Sequence, residues 1–149
     1  MQEFKLLSAY ERRVGDLYET YGDIFEEQRE FWHILASEEV QHALWALNLA
    51  EKLNTQKIIL KENPWRISAI ETAQKYVDQQ IERAKAGDID HVAAVSIALD
   101  LERSMLEKDI FAHYSSDRPI IKELLEKLKL QTQDHLKKIE VVWEALRNK

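Results

Sequence analysis

Helix breakers are scarce in this chain: only 3 Gly and 2 Pro stand among 149 residues. The stretches between them are rich in Ala, Leu, Glu, Lys and Gln, residues that lose little on entering a helix. Apolar residues recur at spacings of three, four and seven, the pattern of a helix with one buried stripe. A chain of this kind is confined to a few long amphipathic helices. With 45% hydrophobic content over 149 residues it can bury one real core. The expected fold is all-α, a single domain over residues 1–149.

The first apolar stripe runs from about Glu3 to Phe25 through Phe4, Leu7, Val14, Tyr18 and Phe25. Polar residues from Glu26 to Glu30 turn the chain, and a second helix follows from about Arg29 to Leu53, antiparallel to the first. Periodicity fails between Asn54 and Pro64, which marks a loop, and a crossover helix runs from about Trp65 to Ala86. Gly87 and Asp88 read as a stop followed by a new start. A third helix then spans about Ile89 to His113, with Val95, Ala98, Leu99, Met105 and Leu106 on its apolar face. Ser115, Ser116, Asp117 and Pro119 form a turn and helix start. The fourth helix continues nearly to the end, with Ile121, Leu124, Leu125, Leu128, Ile139, Val142 and Leu146 as its stripe. The plan is two antiparallel hairpins joined by a long helical crossover.

Charge narrows the function. A net charge of −6 with both signs interspersed leaves no basic face, which argues against nucleic acid as a partner. No apolar run approaches the roughly twenty residues that span a bilayer, and the N-terminus lacks the sections of a signal peptide, so a soluble cytoplasmic protein is expected. There are no cysteines, which removes disulfides, thiolate zinc sites and iron–sulfur clusters. Any metal must be held by carboxylate and imidazole.

Polar residues interrupt the apolar stripes at a few points. Glu39 and His42 stand in the row of Trp32, Leu35, Ala46, Leu49 and Leu53, so a helix aims both inward on adjoining positions. The spacing alone says little, because 5 His and 18 Glu supply about half an instance of Glu-x-x-His by chance. A second instance, Glu30 and His33, shares its row with Glu26 and Ser37 and belongs to a solvated face. The first helix adds Glu11, the third Glu102, and the fourth Thr132 and His135. Counted from the turns at 1.5 Å per residue, all four helices deliver these groups to one level. Each residue alone reads as a salt-bridged edge group or a histidine satisfied by a carbonyl. Together, three buried carboxylates would repel one another and cost several kcal/mol each unless a cation joins them. Oxygen-rich ligands with imidazole suit iron or manganese, and zinc also fits. His33, His91 and His113 read as surface residues. Tyr18 reads first as ordinary core packing, with a hydrogen-bond donor to the cluster as the alternative.

On these residues the chain resembles the ferritin-like superfamily, and within it the rubrerythrin-like diiron-carboxylate proteins without a rubredoxin domain. That pattern is a Glu on the first helix, Glu-x-x-His on the second, Glu on the third and Glu-x-x-His on the fourth. Here it is matched by Glu11, by Glu39-Val40-Gln41-His42, by Glu102 and by His135. The resemblance implies a ferritin-like four-helix bundle and a non-haem centre of one or two iron ions. It also implies oxidase or peroxidase chemistry on oxygen or peroxide, supplied with electrons by a separate donor protein. The departure lies in Thr132-Gln133-Asp134-His135, where threonine replaces the glutamate that would bridge two metals. Three carboxylates against two divalent cations leave a net +1, where four would balance, so the second position is degenerate. Asp134 points about 100° off the inward direction, and Gln131 offers at most a neutral oxygen. Met105 stands where rubrerythrins place a further carboxylate.

The rival reading keeps the ferritin-like scaffold with one structural metal or none, acting through its surface as an interaction protein. Four Trp and five Tyr give either reading material for a homodimer interface. Ferritin-type iron storage would need a closed multimeric shell.

Overall fold

The computed structural model describes residues 2–57, 64–104 and 118–148. Among them are five α-helices and no strand: α1 (Gln2–Ile24), α2 (Arg29–Thr55), α3 (Pro64–Lys85), α4 (His91–Arg103) and α5 (Pro119–Arg147). None of the described helices is long and apolar enough to cross a membrane.

The helices α1, α2 and α5 bury most of the row their sequence marks, with Phe25, Leu124, Val142 and Leu146 only half-buried. Along α1 the buried row is Phe4, Leu7, Glu11, Val14, Tyr18 and Tyr21, and along α2 it is Trp32, Leu35, Glu39, His42, Ala46, Leu49 and Leu53. On α5 it is Ile121, Leu125, Leu128, Thr132, His135 and Ile139. These steps alternate between three and four residues, which keeps a 3.6-residue helix facing one way. The apolar members, with Ile70, Val77 and Ile81 from α3 and Val95 and Ala98 from α4, form one continuous core. Each buried Leu, Ile, Val or Phe contributes about 1.5–3 kcal/mol.

Side-chain pairs show the helix directions. Arg66 Nε lies 3.3 Å from Glu3 Oε2, and Arg13 Nε donates to Asp78 Oδ1 at 2.6 Å, so α3 runs alongside α1 in the same direction. His91 meets Phe25, and Glu102 meets Tyr18, so α4 returns antiparallel to α1. Lys127 sits over the Trp45 ring and His135 lies beside Glu38, so α5 runs antiparallel to α2. The α1–α2 contact is tightened by Ser8, whose hydroxyl donates to Ala43 O at 2.7 Å. Gly15 adds to this closeness, because a Cβ there would stand 3.4 Å from both Ala36 O and Glu39 Cβ.

The expected punctuation is largely present. Gly87 adopts φ +75, its N–H bonding Ala84 O while that of Asp88 bonds Arg83 O, the paired bonds that close a helix on a left-handed residue. Asp90 caps α4 by accepting from Ala93 N at 2.8 Å. The turn after α1 is a 3-10 turn over Glu26–Gln28, and α2 continues two residues past Leu53 to Thr55.

The third helix departs from expectation, since α4 ends at Arg103 rather than continuing to His113. Ser104 leaves the helical conformation at φ −57, ψ 147, with its N–H bonded to Leu101 O. Serine favours local alternatives to the helix, which weakens continuation here. Met105, Leu106, His113 and the Ser115 to Asp117 turn lie outside the described residues. His91 also differs from its surface reading: it is half-buried, edge-on to Phe25 and to Trp32 with ring centres 5.3 and 5.8 Å apart.

Candidate metal centre

The inward rows of α1, α2, α4 and α5 meet at one polar cluster in the core. Glu11 is 3% exposed, Glu39 1%, His42 3%, Glu102 8% and His135 0%. All five residues that the sequence nominates are therefore buried. Ligand-type atoms of Glu39, His42 and His135 lie within 4.8 Å of one another, a group that could hold a metal ion.

Glu39 is the hub. Its Oε1 lies 3.0 Å from His135 Nε2, and its Oε2 lies 3.6 Å from His42 Nδ1. Glu11 Oε2 stands 4.0 Å from the same His42 nitrogen. On the other side, Glu102 Oε1 is 3.2 Å from His135 Nε2. Glu39 Oε2 and His135 Nε2 are both buried without a well-formed hydrogen bond among the described residues. A buried carboxylate oxygen left so costs about 1–3 kcal/mol, and a cation beside it would relieve that.

Charge and burial compete at each group. Burial raises the Glu39 carboxyl, but His135 above all, then contacts with Glu11 and His42, hold it well below the usual carboxylate range. Burial lowers the His135 imidazole, but the charges of Glu102 and Glu39 hold it well above its ordinary value. The ion-free cluster thus keeps a proton on His135 between carboxylates. A metal ion entering at Nε2 takes that proton's place.

Tyr18 is more than core packing. Its hydroxyl donates to Glu102 Oε1 at 2.8 Å, and its ring stacks on His135 at 5.9 Å. Burial, then the charges of Glu102 and Glu39, push the phenol well above its usual range, so it stays protonated as a donor.

Thr132 is buried one turn before His135, and its hydroxyl donates back to Leu128 O at 2.9 Å. Asp134 is exposed and pairs with Lys138 at 3.5 Å, and Gln131 is half-buried. His33 faces outward, with Nε2 3.3 Å from Asp23 Oδ1.

Sequence reasoning missed Glu38. Its Oε2 accepts from His135 Nδ1 at 2.9 Å, while its Oε1 accepts from Lys138 Nζ. The available signal was the Glu38-Glu39 doublet, one member facing inward and the other turned about 100° to the flank. It also missed the buried Glu3–Arg66 pair, because Glu3 begins its stripe instead of interrupting it.

Fold and site together define an all-helical protein with a buried carboxylate and imidazole cluster able to hold a metal ion. No family model, no curated protein and no solved structure matches the chain.

Proposed function

We propose that this chain is a ferritin-like protein of the rubrerythrin-like kind, which holds one metal ion, foremost iron, between Glu39, His42 and His135. Glu11 and Glu102 flank that ion. The observation that carries the reading is the approach of three buried ligand-type side chains from α2 and α5 to within 4.8 Å. The ferritin-like plan is supported by four helices each giving a polar group to one level, and by α3 running the chain back along α1 as a crossover must. Carboxylate with imidazole suits iron or manganese, and zinc also fits.

One ion is favoured over two by Thr132. A second ion would want a carboxylate there, and the hydroxyl present is turned onto its own helix. Bound iron would supply one-electron chemistry toward oxygen or peroxide, with electrons from a separate donor protein. The chain's own contribution is positional. Glu39 joins the two imidazoles, Tyr18 holds a proton against Glu102, and the rings of Tyr18 and Trp32, 5.6 Å apart, help to keep bulk water out.

Elemental analysis of untagged protein after anaerobic ferrous loading tests this. One iron per chain is expected, lost in Glu39→Ala at unchanged helicity. Two irons per chain would overturn the single-ion reading. A chain that takes zinc but refuses iron would point to a structural ion, and a chain that binds nothing would leave a helical scaffold.

A further inference from the structure

We propose that the outer face of the α1–α2 pair docks a second copy of this chain, in a two-fold dimer whose helices pair antiparallel. The face carries a charge pattern that complements itself. Along α1, Lys5, Arg12, Asp16 and Asp23 are exposed at steps of seven, four and seven, within about 40° of one another around the helix. Two cations are followed by two anions at mirrored spacing. Turned end over end about the midpoint between Arg12 and Asp16, the row sets Arg12 against the partner's Asp16 and Lys5 against the partner's Asp23. Along α2, Arg29, Val40 and Glu51 are exposed on one side, with Val40 eleven residues from each of the other two. The same reversal sets Arg29 against the partner's Glu51 and Val40 against the partner's Val40.

One axis serves both helices. Gly15 packs against Ala36, Glu39 and Val40, Ser8 bonds Ala43 O, and Gly22 lies against Trp32 and His33. These contacts bring the midpoint of the α1 row beside Val40, the midpoint of the α2 row. Rows that reversed about different heights could not be matched by a single rotation. The apolar part obeys the same symmetry. A groove of about 290 Å³ opens on this face between Gly15 and Asp16 of α1 and Ala36, Ser37 and Val40 of α2. Leu44, 45% exposed, stands four residues beyond Val40, so the rotation carries it onto the partner's Ala36. Each copy thus offers a leucine to the groove of the other, as an isologous contact requires. Lys5, Arg12 and Glu51 make no ion pair with another described residue. Asp16 and Asp23 hold exposed contacts to Arg13 at 3.0 Å and His33 at 3.3 Å. By helix rise and diameter the face measures about 27 by 20 Å, or about 500 Å² from each copy, the lower end for a specific interface. A reversible, salt-sensitive dimer fits that area and those exposed charges.

Sedimentation velocity on the full chain, from about 5 to 200 µM at low and high salt, tests the pairing. Wild type is expected to dimerise with a dissociation constant of about 10 µM at low salt and about tenfold more weakly at high salt. Leu44→Glu puts a charge into each groove and should leave a monomer. Lys5→Glu with Arg12→Glu sets like charges opposite each other and should do the same. Adding Asp16→Lys and Asp23→Lys to that pair reverses the whole row, restores its self-complementarity and should bring the dimer back. Leu130→Glu, at a 55% exposed position on α5, should leave dimerisation unchanged. All these positions are exposed, so circular dichroism should show the same helicity throughout. A wild type that stays monomeric at about 200 µM in low salt would overturn the inference. So would a dimer that survives Leu44→Glu, one that Leu130→Glu abolishes, or a reversed row that fails to restore it. None of these outcomes bears on metal binding, which the pairing does not require.

Discussion

Tyr18 Oη donates a 2.8 Å hydrogen bond to Glu102 Oε1 across 84 residues of sequence. The contact joins α1 to α4 at the edge of the cluster and gives one buried carboxylate a neutral donor. It also explains a tyrosine among the hydrophobic residues of α1, since phenylalanine would fill the same volume without the donor.

Tyr18→Phe is therefore expected to destabilise the metal-free protein by about 2 kcal/mol, the scale of a hydrogen bond to a charged group. Denaturant unfolding measures this. An unchanged midpoint and slope would mean that the bond contributes nothing net.

Tyr21 is the counter-case. Its hydroxyl is buried without a hydrogen-bond partner among the described residues, while its ring packs edge-on against Trp32 at 4.8 Å. Tyr21→Phe keeps the ring and removes a desolvated hydroxyl, so the change should range from neutral to about 1 kcal/mol more stable. A loss above 1 kcal/mol in thermal or chemical unfolding would contradict this.

Thr132→Glu restores a carboxylate one turn before His135. Without metal, a fourth acidic group in this core should cost about 3 kcal/mol, because the protonated His135 is already shared between Glu39 and Glu102. With ferrous iron the variant should take up two ions per chain and recover its stability by mass action. Melting curves with and without metal, alongside elemental analysis, check both halves.

His91 adds an acid sensitivity of its own. Burial lowers its imidazole below the ordinary value, against a smaller opposing pull from Asp90. Between the folded and unfolded values the unfolded chain binds the extra proton, so stability rises with pH there. The His91 contribution is therefore intact above about pH 6.5 and lost as pH falls toward the folded value. His91→Phe should flatten the slope of unfolding free energy between about pH 7.5 and 5.5 relative to wild type. An unchanged slope would assign the sensitivity to other groups.

The helices were legible in the sequence because their causes are local. Gly and Pro scarcity, stripes spaced by three and four, Gly87 with its left-handed backbone and the Asp90 cap each act within one or two turns. The candidate ligands Glu11, Glu39, His42, Glu102 and His135 were legible for the same reason, since a polar residue in an apolar row is a local contradiction. Which of these groups touch depended on how the helices pack. Glu38 lies just off the inner row of α2 and gains its importance from His135, 97 residues away. For Tyr18 the sequence left packing and a bond to the cluster as alternatives, and only the placing of α4 brings Glu102 to its hydroxyl, while His91 becomes half-buried because Phe25 and Trp32 close over it. Periodicity tells each helix which face to bury, but rotation and height at the contact between helices decide which atoms come within 3 Å, and those are set by packing the whole core at once.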